Sequence, residues 1–269
     1  MAKSKPLNSK TLKEIQKARK IILEDRKLNH LLVDLDGTLL DAHERLSQID
    51  FLSKAIPEMS RLTEKSWYQI LKAMRNVQKE VTKPNTPHGP NMRTRVAMAV
   101  AHALGLTVEV SDQVIQTMLQ TVFPTIQRHF FPVPGAKDFV DWAKDHYPMI
   151  LATNPIWTEE YVRMRLDWAQ IPVDYFKWVS YSDIMWDLKP RSRYYQDVLA
   201  REHLDATNCL LIGNDPKRDV PAVQVGISVF LLSREDECVP LKTGPDQAPA
   251  WRGSYRVLRK LLDKESNIG

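Results

Sequence analysis

Residues 29–40, Asn29-His30-Leu31-Leu32-Val33-Asp34-Leu35-Asp36-Gly37-Thr38-Leu39-Leu40, narrow the choice of folds more than any other stretch of the chain. A short, nearly apolar run leads into two carboxylates and then a glycine turn. Such a run reads as a strand buried on both faces, as in a parallel sheet. The chain leaves that sheet at its carboxyl edge, where open α/β sheets bind ligands. Side chains two apart on a strand share a face, so Asp34 and Asp36 can turn toward one pocket. Two carboxylates that close repel unless a proton or a cation separates them. The stretch therefore asks for a metal ion. Asp-x-Asp-Gly also opens calcium loops, but the later ligands of such a loop are missing here.

The remainder supplies the rest of such a sheet. Residues 9–24 read as a helix capped by Ser9, with Leu12, Ile15, Ile22 and Leu23 near one stripe. Residues 44–129 have a helical period instead, in four segments: Leu46, Ile49, Leu52 and Ile56; then Leu62 to Val77; then Val96 to Leu104, ended by Gly105; then Val114 to Ile126, capped by Ser111. A proline-rich loop, 83–90, separates the second from the third. Strands are expected at 147–153, 175–181, 208–212 and 228–232. Helices are expected at 136–146, 158–170, 191–203, 220–225 and 254–264, with 132–135 a turn and 240–250 a loop. Strands alternating with helices imply βαβ units. The expected architecture is α/β: a Rossmann-like doubly wound parallel sheet core, 25–43 and 130–269, with an inserted helical unit, 44–129, and a basic helical extension, 1–24.

Composition sets the outer bounds. The chain has 269 residues, 43% hydrophobic and 26% charged, an ordinary globular balance. No window nears the roughly 18 apolar residues of a membrane span, so no membrane partner is expected. The basic start, Met1 to Lys20, has no apolar stretch behind it and does not read as a signal peptide. The two cysteines, Cys209 and Cys238, have no paired spacing, which fits a reduced, cytoplasmic setting without structural zinc. Net charge is +5, with Lys3, Lys5, Lys10, Lys13, Lys17, Arg19 and Lys20 crowded at the start. This reads as a solvated face rather than a nucleic-acid surface. Nothing in the pattern sets an oligomeric state.

Three more polar clusters follow expected strands and open at the same sheet edge: Thr153-Asn154, Lys189-Pro190, and Gly213-Asn214-Asp215-Pro216-Lys217-Arg218-Asp219. Together with Asp34 and Asp36 they supply a nucleophile, a hydroxyl donor, a cation and metal ligands, the parts phosphoryl transfer needs. In this order the four clusters resemble the four motifs of the haloacid dehalogenase (HAD) superfamily in its phosphatase form, over about residues 29–232. The helical insertion falls where type C1 caps lie in that family.

The resemblance implies roles. Asp34 would be the nucleophile that takes the phosphoryl group. Asp36 would be the general acid and then the general base, its carbonyl a Mg²⁺ ligand. Thr153 and Asn154 would hold phosphoryl oxygens, and Lys189 would pair with Asp34. The fourth motif departs from the usual form by placing Asn214 directly after Gly213. Asp215 is then the expected metal ligand, with Asn214 the alternative and Asp219 a partner behind the ligands or acting through water. Asp36 itself points to phosphate esters, since a halide leaving group needs no proton. His43, Arg45, His88, Arg93, Arg95 and Trp157 are the candidate substrate contacts. The implied function is a Mg²⁺-dependent phosphatase acting on a small phosphorylated metabolite. A phosphomutase of the same family and a non-catalytic binding protein on the same core are the alternatives.

Overall fold

In the computed structural model, residues 6–86 and 88–265 are described; the basic residues Lys3 and Lys5 and Pro87 of the 83–90 loop lie outside them. Strand β1 (His30–Val33) sits inside a seven-stranded sheet with β4 (Met149–Leu151), β5 (Trp178–Val179), β6 (Cys209–Gly213), β7 (Ser228–Leu232), β8 (Val239–Leu241) and β9 (Ala250–Gly253). The strand order is β5-β4-β1-β6-β7-β9-β8. All pairings are parallel except β8 with β9. Register places Val33 beside Ile212 and Leu151, so Asp34 emerges at the edge where the neighbouring strands also end.

Both faces of the sheet are covered, which is why its strands read as continuous apolar runs. Leu31, Val33, Leu210 and Ile212 pack toward α1 (Ser9–Arg19), α6 (Ala136–Ala143), α7 (Glu159–Trp168) and α9 (Tyr255–Leu262). Leu32, Ile150, Leu211 and Val229 pack on the other face with α8 (Ser192–Arg201). Leu211 has no exposed surface. Leu211→Ala is expected to cost about 2–5 kcal/mol through lost burial and a residual cavity. Urea unfolding should show a lower midpoint at unchanged m-value; an unmoved midpoint would contradict this packing.

The basic N-terminal helix is fastened to this core. Ile15 and Ala18 of α1 are buried, and Arg19 donates to the carbonyls of Leu261, Lys260 and Asp263 at the end of α9. Those are carbonyls a helix leaves unpaired. Its cap is Asn8, not Ser9.

Two short strands, β2 (Leu40–Ala42) and β3 (Phe130–Pro132), pair with each other outside the sheet. Between them lie α2 (Glu44–Thr63), α3 (Trp67–Val81), α4 (Met92–Leu104) and α5 (Val108–Thr121). These four helices share a core of their own, including Ala55, Ile70, Val100 and Met118. Gly105 ends α4 in the left-handed region, as expected. The cap of α5 is Thr107, and Ser111 is buried inside the helix. The expected stripe on α2 is only half right. Leu46 and Ile49 are 55% and 57% exposed, and the buried line runs through Ser47, Ala55 and Met59.

The 82–93 segment is tied to 182–193 of the core. Arg93 spans Asp112 of α5 and Asp183, each at 2.8 Å. Asn91 donates to the Asp183 carbonyl, and Arg191 and Arg193 donate to the carbonyls of Thr82 and Thr86.

The loop expected at 240–250 contains β8 at its start and leads into β9. Both are short, and Pro240 lies on an edge strand, the position in a sheet that tolerates proline.

Candidate active site

Asp34 follows β1 directly, and its amide donates to the Ile212 carbonyl of β6. Its carboxylate is buried. Lys189 Nζ lies 2.8 Å from Asp34 Oδ1 and 2.8 Å from Asp219 Oδ1, and it too is buried. The Thr38 hydroxyl reaches Asp34 Oδ2 at 3.3 Å. Asp219 Oδ2 accepts from the amides of Asn214 and Asp215 at 3.1 and 3.0 Å. Both Asp219 oxygens are therefore engaged in holding Lys189 and the turn after β6.

Two glycines make the close approach possible. Gly37 has φ +72°, and a Cβ on it would strike the Asn214 side chain. A Cβ on Gly213 would strike the Asp219 carboxylate. Tyr255 of α9 fixes the Gly37 turn from below by donating to the Thr38 carbonyl at 2.7 Å.

The second cluster braces the third. Asn154 Oδ1 accepts from the Lys189 amide at 2.9 Å. The Thr153 carbonyl accepts from the hydroxyls of Ser180 and Tyr194 at 2.7 and 2.8 Å. The Thr153 hydroxyl is buried and has no partner among the described residues. An unmet buried hydroxyl costs roughly 1–3 kcal/mol, so it is a group waiting for an acceptor.

Charge is distributed unevenly. Burial pushes the Asp34 carboxyl up, against the pull of Lys189. Burial works against the Lys189 charge, but Asp34 and Asp219 outweigh it and hold its proton well above the usual lysine range. Asp36 is paired with Arg165, which comes from α7 and is buried; burial draws the guanidinium down to about 10, against the pull of Asp34.

Over these groups opens a cavity of about 520 Å³ lined by Asp34, Asp36, Asn154, Lys189, Asn214, Asp215 and Asp219. Its outer wall is Asp41, Glu44, Ser47, Gln48 and Arg218. Glu44, Ser47 and Gln48 form one turn of α2 at i, i+3 and i+4 spacing, a polar stripe readable in the sequence.

The expected substrate contacts lie elsewhere. His43 packs its ring on Phe131 at 5.0 Å, and Arg45 is exposed without lining the cavity. Arg93 is occupied by its two carboxylates. Arg95 donates to the carbonyls of Val81 and Lys83. Trp157 packs against Phe123 and Tyr161 and lines a separate apolar cavity of about 250 Å³. His88 lines neither cavity. Ion pairs, carbonyls and ring packing engage Arg93, Arg95, Trp157 and His43, while Arg45 and His88 remain exposed. Arg165 and Tyr255 were missed because an arginine or tyrosine on an amphipathic helix carries no sequence mark of facing inward.

The residues present fit a Mg²⁺ ion. The donors are all oxygen, and carboxylates outnumber cations in the cavity. Among the described residues no three His, Cys, Asp or Glu side chains come close enough to cage an ion by themselves.

A family model described as haloacid dehalogenase-like hydrolase matches residues 28–225. Among solved structures, a 2-haloacid dehalogenase from Pseudomonas syringae pv. Tomato is 17% identical, over 89% of this chain and 100% of that one, with TM-score 0.57. A HAD phosphatase from Thermococcus onnurineus is 17% identical, over 88% and 99%, with TM-score 0.54. The HAD-hydrolase YfnB from Bacillus subtilis, bound to magnesium, is 16% identical, over 88% and 99%, with TM-score 0.51. At these identities the likeness is one of fold. No curated protein matches the chain.

Proposed function

Because the chain belongs to the haloacid dehalogenase-like hydrolases, we propose that it is a Mg²⁺-dependent phosphatase of a small phosphorylated metabolite, working through a phosphoryl group carried on Asp34. The observation that carries this reading is that the Asp36 carboxylate lines the same cavity as Asp34 while half of it stays open. A departing halide needs no proton, whereas a departing alkoxide does.

Asp34 Oδ attacks phosphorus, the ester P–O bond breaks, and the leaving oxygen takes a proton from Asp36. Water then attacks the same phosphorus and gives a proton to Asp36, the bond to Asp34 breaks, and inorganic phosphate departs. The unpaired Thr153 hydroxyl supports a phosphoryl oxygen bound there. Lys189 opposes the burial that raises the Asp34 carboxyl, and so favours the carboxylate needed for attack. Asp34, the Asp36 carbonyl and Asp215, with Asn214 the alternative, would hold Mg²⁺, which would offset charge on the phosphoryl group. Asp219 holds Lys189 and the turn. Helices α2–α5 act as a cap whose Glu44, Ser47 and Gln48 meet the alcohol part of the substrate. The buried free thiols Cys209 and Cys238 suit a reducing, cytoplasmic setting. Among the described residues no helix is long and apolar enough to cross a membrane.

The test is phosphate release from a panel of phosphorylated metabolites and an aryl phosphate, with Mg²⁺ and with chelator. Release is expected only with the metal. Asp215→Asn should raise the Mg²⁺ concentration for half-activation by about 10- to 100-fold, the scale on which metal-site partners act. Unchanged metal dependence would move the ligand role to Asn214, and metal-independent release would sink the proposed cofactor.

A further inference from the structure

We infer that Arg165 is the positioning residue for Asp36, fixing one carboxylate oxygen so that the other meets the ester oxygen of the substrate. The inference rests on the phosphatase reading above for its chemistry, but its geometry stands apart from it.

The two partners are buried very unequally. The Arg165 side chain is 5% exposed and the Asp36 side chain 51%. The anchored end of the pair is therefore the guanidinium, and the working end is the carboxylate. Arg165 is held within α7, with its guanidinium 5.5 Å from the centre of the Tyr161 ring. Its Nε has no partner among the described residues, and its one ion pair there is with Asp36. Charged side chains are rarely buried this deeply unless their charge is met.

From the other side, the backbone of Asp36 bridges to Leu40, but its carboxylate has only Arg165 among the described residues. Among the described residues no amide or other side chain bonds its carboxylate. It sits on a turn, with Gly37 donating to the Leu40 carbonyl at 2.8 Å, and that turn runs straight into β2. Without Arg165 the carboxylate would swing over the cavity mouth. The pair engages Oδ1, which leaves Oδ2 for the proton transfers. Because α7 also packs on β2 and β3, the anchor ties the acid to the strands that lead into the cap.

The experiment compares Arg165→Met, Arg165→Lys, Asp36→Asn and the Asp36→Asn/Arg165→Met double variant on two esters: an alkyl phosphate, whose leaving group needs a proton, and a nitrophenyl phosphate, whose leaving group does not. The reading is kcat/KM, which reports the first phosphoryl transfer. Arg165→Met is expected to lose about 10²-fold or more on the alkyl ester, the scale of general acid catalysis, and under about tenfold on the aryl ester. Arg165→Lys should recover part of the alkyl activity. In the Asp36→Asn background, Arg165→Met should add little. Equal losses on both esters, or losses that multiply in the double variant, would make Arg165 merely structural and overturn the inference.

A second reading needs no turnover. Asp36→Asn leaves a buried guanidinium without its countercharge, so its thermal midpoint should fall below that of the double variant. Additive shifts would overturn the pairing. If the wild type hydrolyses neither ester, the phosphatase reading fails, and the thermal cycle still decides the pair.

Discussion

Replacing Lys189 with Met is expected to lower unfolding free energy by about 3–5 kcal/mol and to remove activity. The magnitude is that of breaking a buried ion pair from one side. The lysine stands 2.8 Å from each of two buried carboxylates, Asp34 and Asp219. Methionine would fill the volume and leave those carboxylates facing each other without a cation. The pH dependence follows from the directions. Burial raises the Asp34 carboxyl, and in the variant the opposing lysine is gone. The ionised form is then penalised in the fold, so the variant should be least stable at neutral and higher pH and should recover as acid protonates Asp34. In the wild type, Lys189 is held protonated above its usual 10.5. Its contribution is complete below that pH and is lost only as the pH climbs beyond it. Urea unfolding of both proteins at pH 5 and pH 8 checks this. A difference smaller at pH 8 than at pH 5 would contradict the proposed charge arrangement.

Asp34→Asn should reduce phosphate release by about 10⁴-fold or more, since loss of a nucleophile removes the covalent route and leaves only binding and electrostatic stabilisation. The fold should tolerate the change. Burial already disfavours the charged form of Asp34, and an amide oxygen can still accept from Lys189. Thermal unfolding near the wild-type midpoint, together with lost turnover, is the expected pair of results. Residual activity within tenfold of wild type would show that another group attacks phosphorus. Loss of folding would mean that the Asp34 charge is structural, contrary to the direction of its shift.

The sequence was most legible where one physical demand dominated. Leu31 to Val33 and Leu210 to Ile212 had to be buried on both faces, and their runs say so. The turn at Gly37 and the cluster at 213–219 were visible because glycine and carboxylates were spaced for a sheet edge. Legibility failed where tertiary pairing decides. Strands β2 and β3 exist because they find each other across the whole helical segment. Ser111 looked like a cap, but the start of α5 was settled by Thr107 one turn earlier. On α2 the polar residues Glu44, Ser47 and Gln48 carried the signal for the cavity. The more reactive-looking His43 and Arg45 drew attention away from them. Arg165 left no trace because burial of a helical arginine depends on which neighbours close over it.

The ties between 82–93 and 182–193 bear on how such a protein can be rebuilt. By sequence, the helices look like a cassette spliced into a loop, removable by joining Ala42 to Phe130. Mechanically they are not. Asp183 receives Arg93, and Arg191 reaches the Thr82 carbonyl, on either side of the backbone that carries Lys189. A shortened chain would lose Leu119, Phe123 and Ile126 from the cluster that packs on the sheet, and would free the loop that aims its lysine. Transplanting the helices from a relative would carry the same penalty unless the receiving loop came with them. The interchangeable part is the helical unit together with residues 182–193.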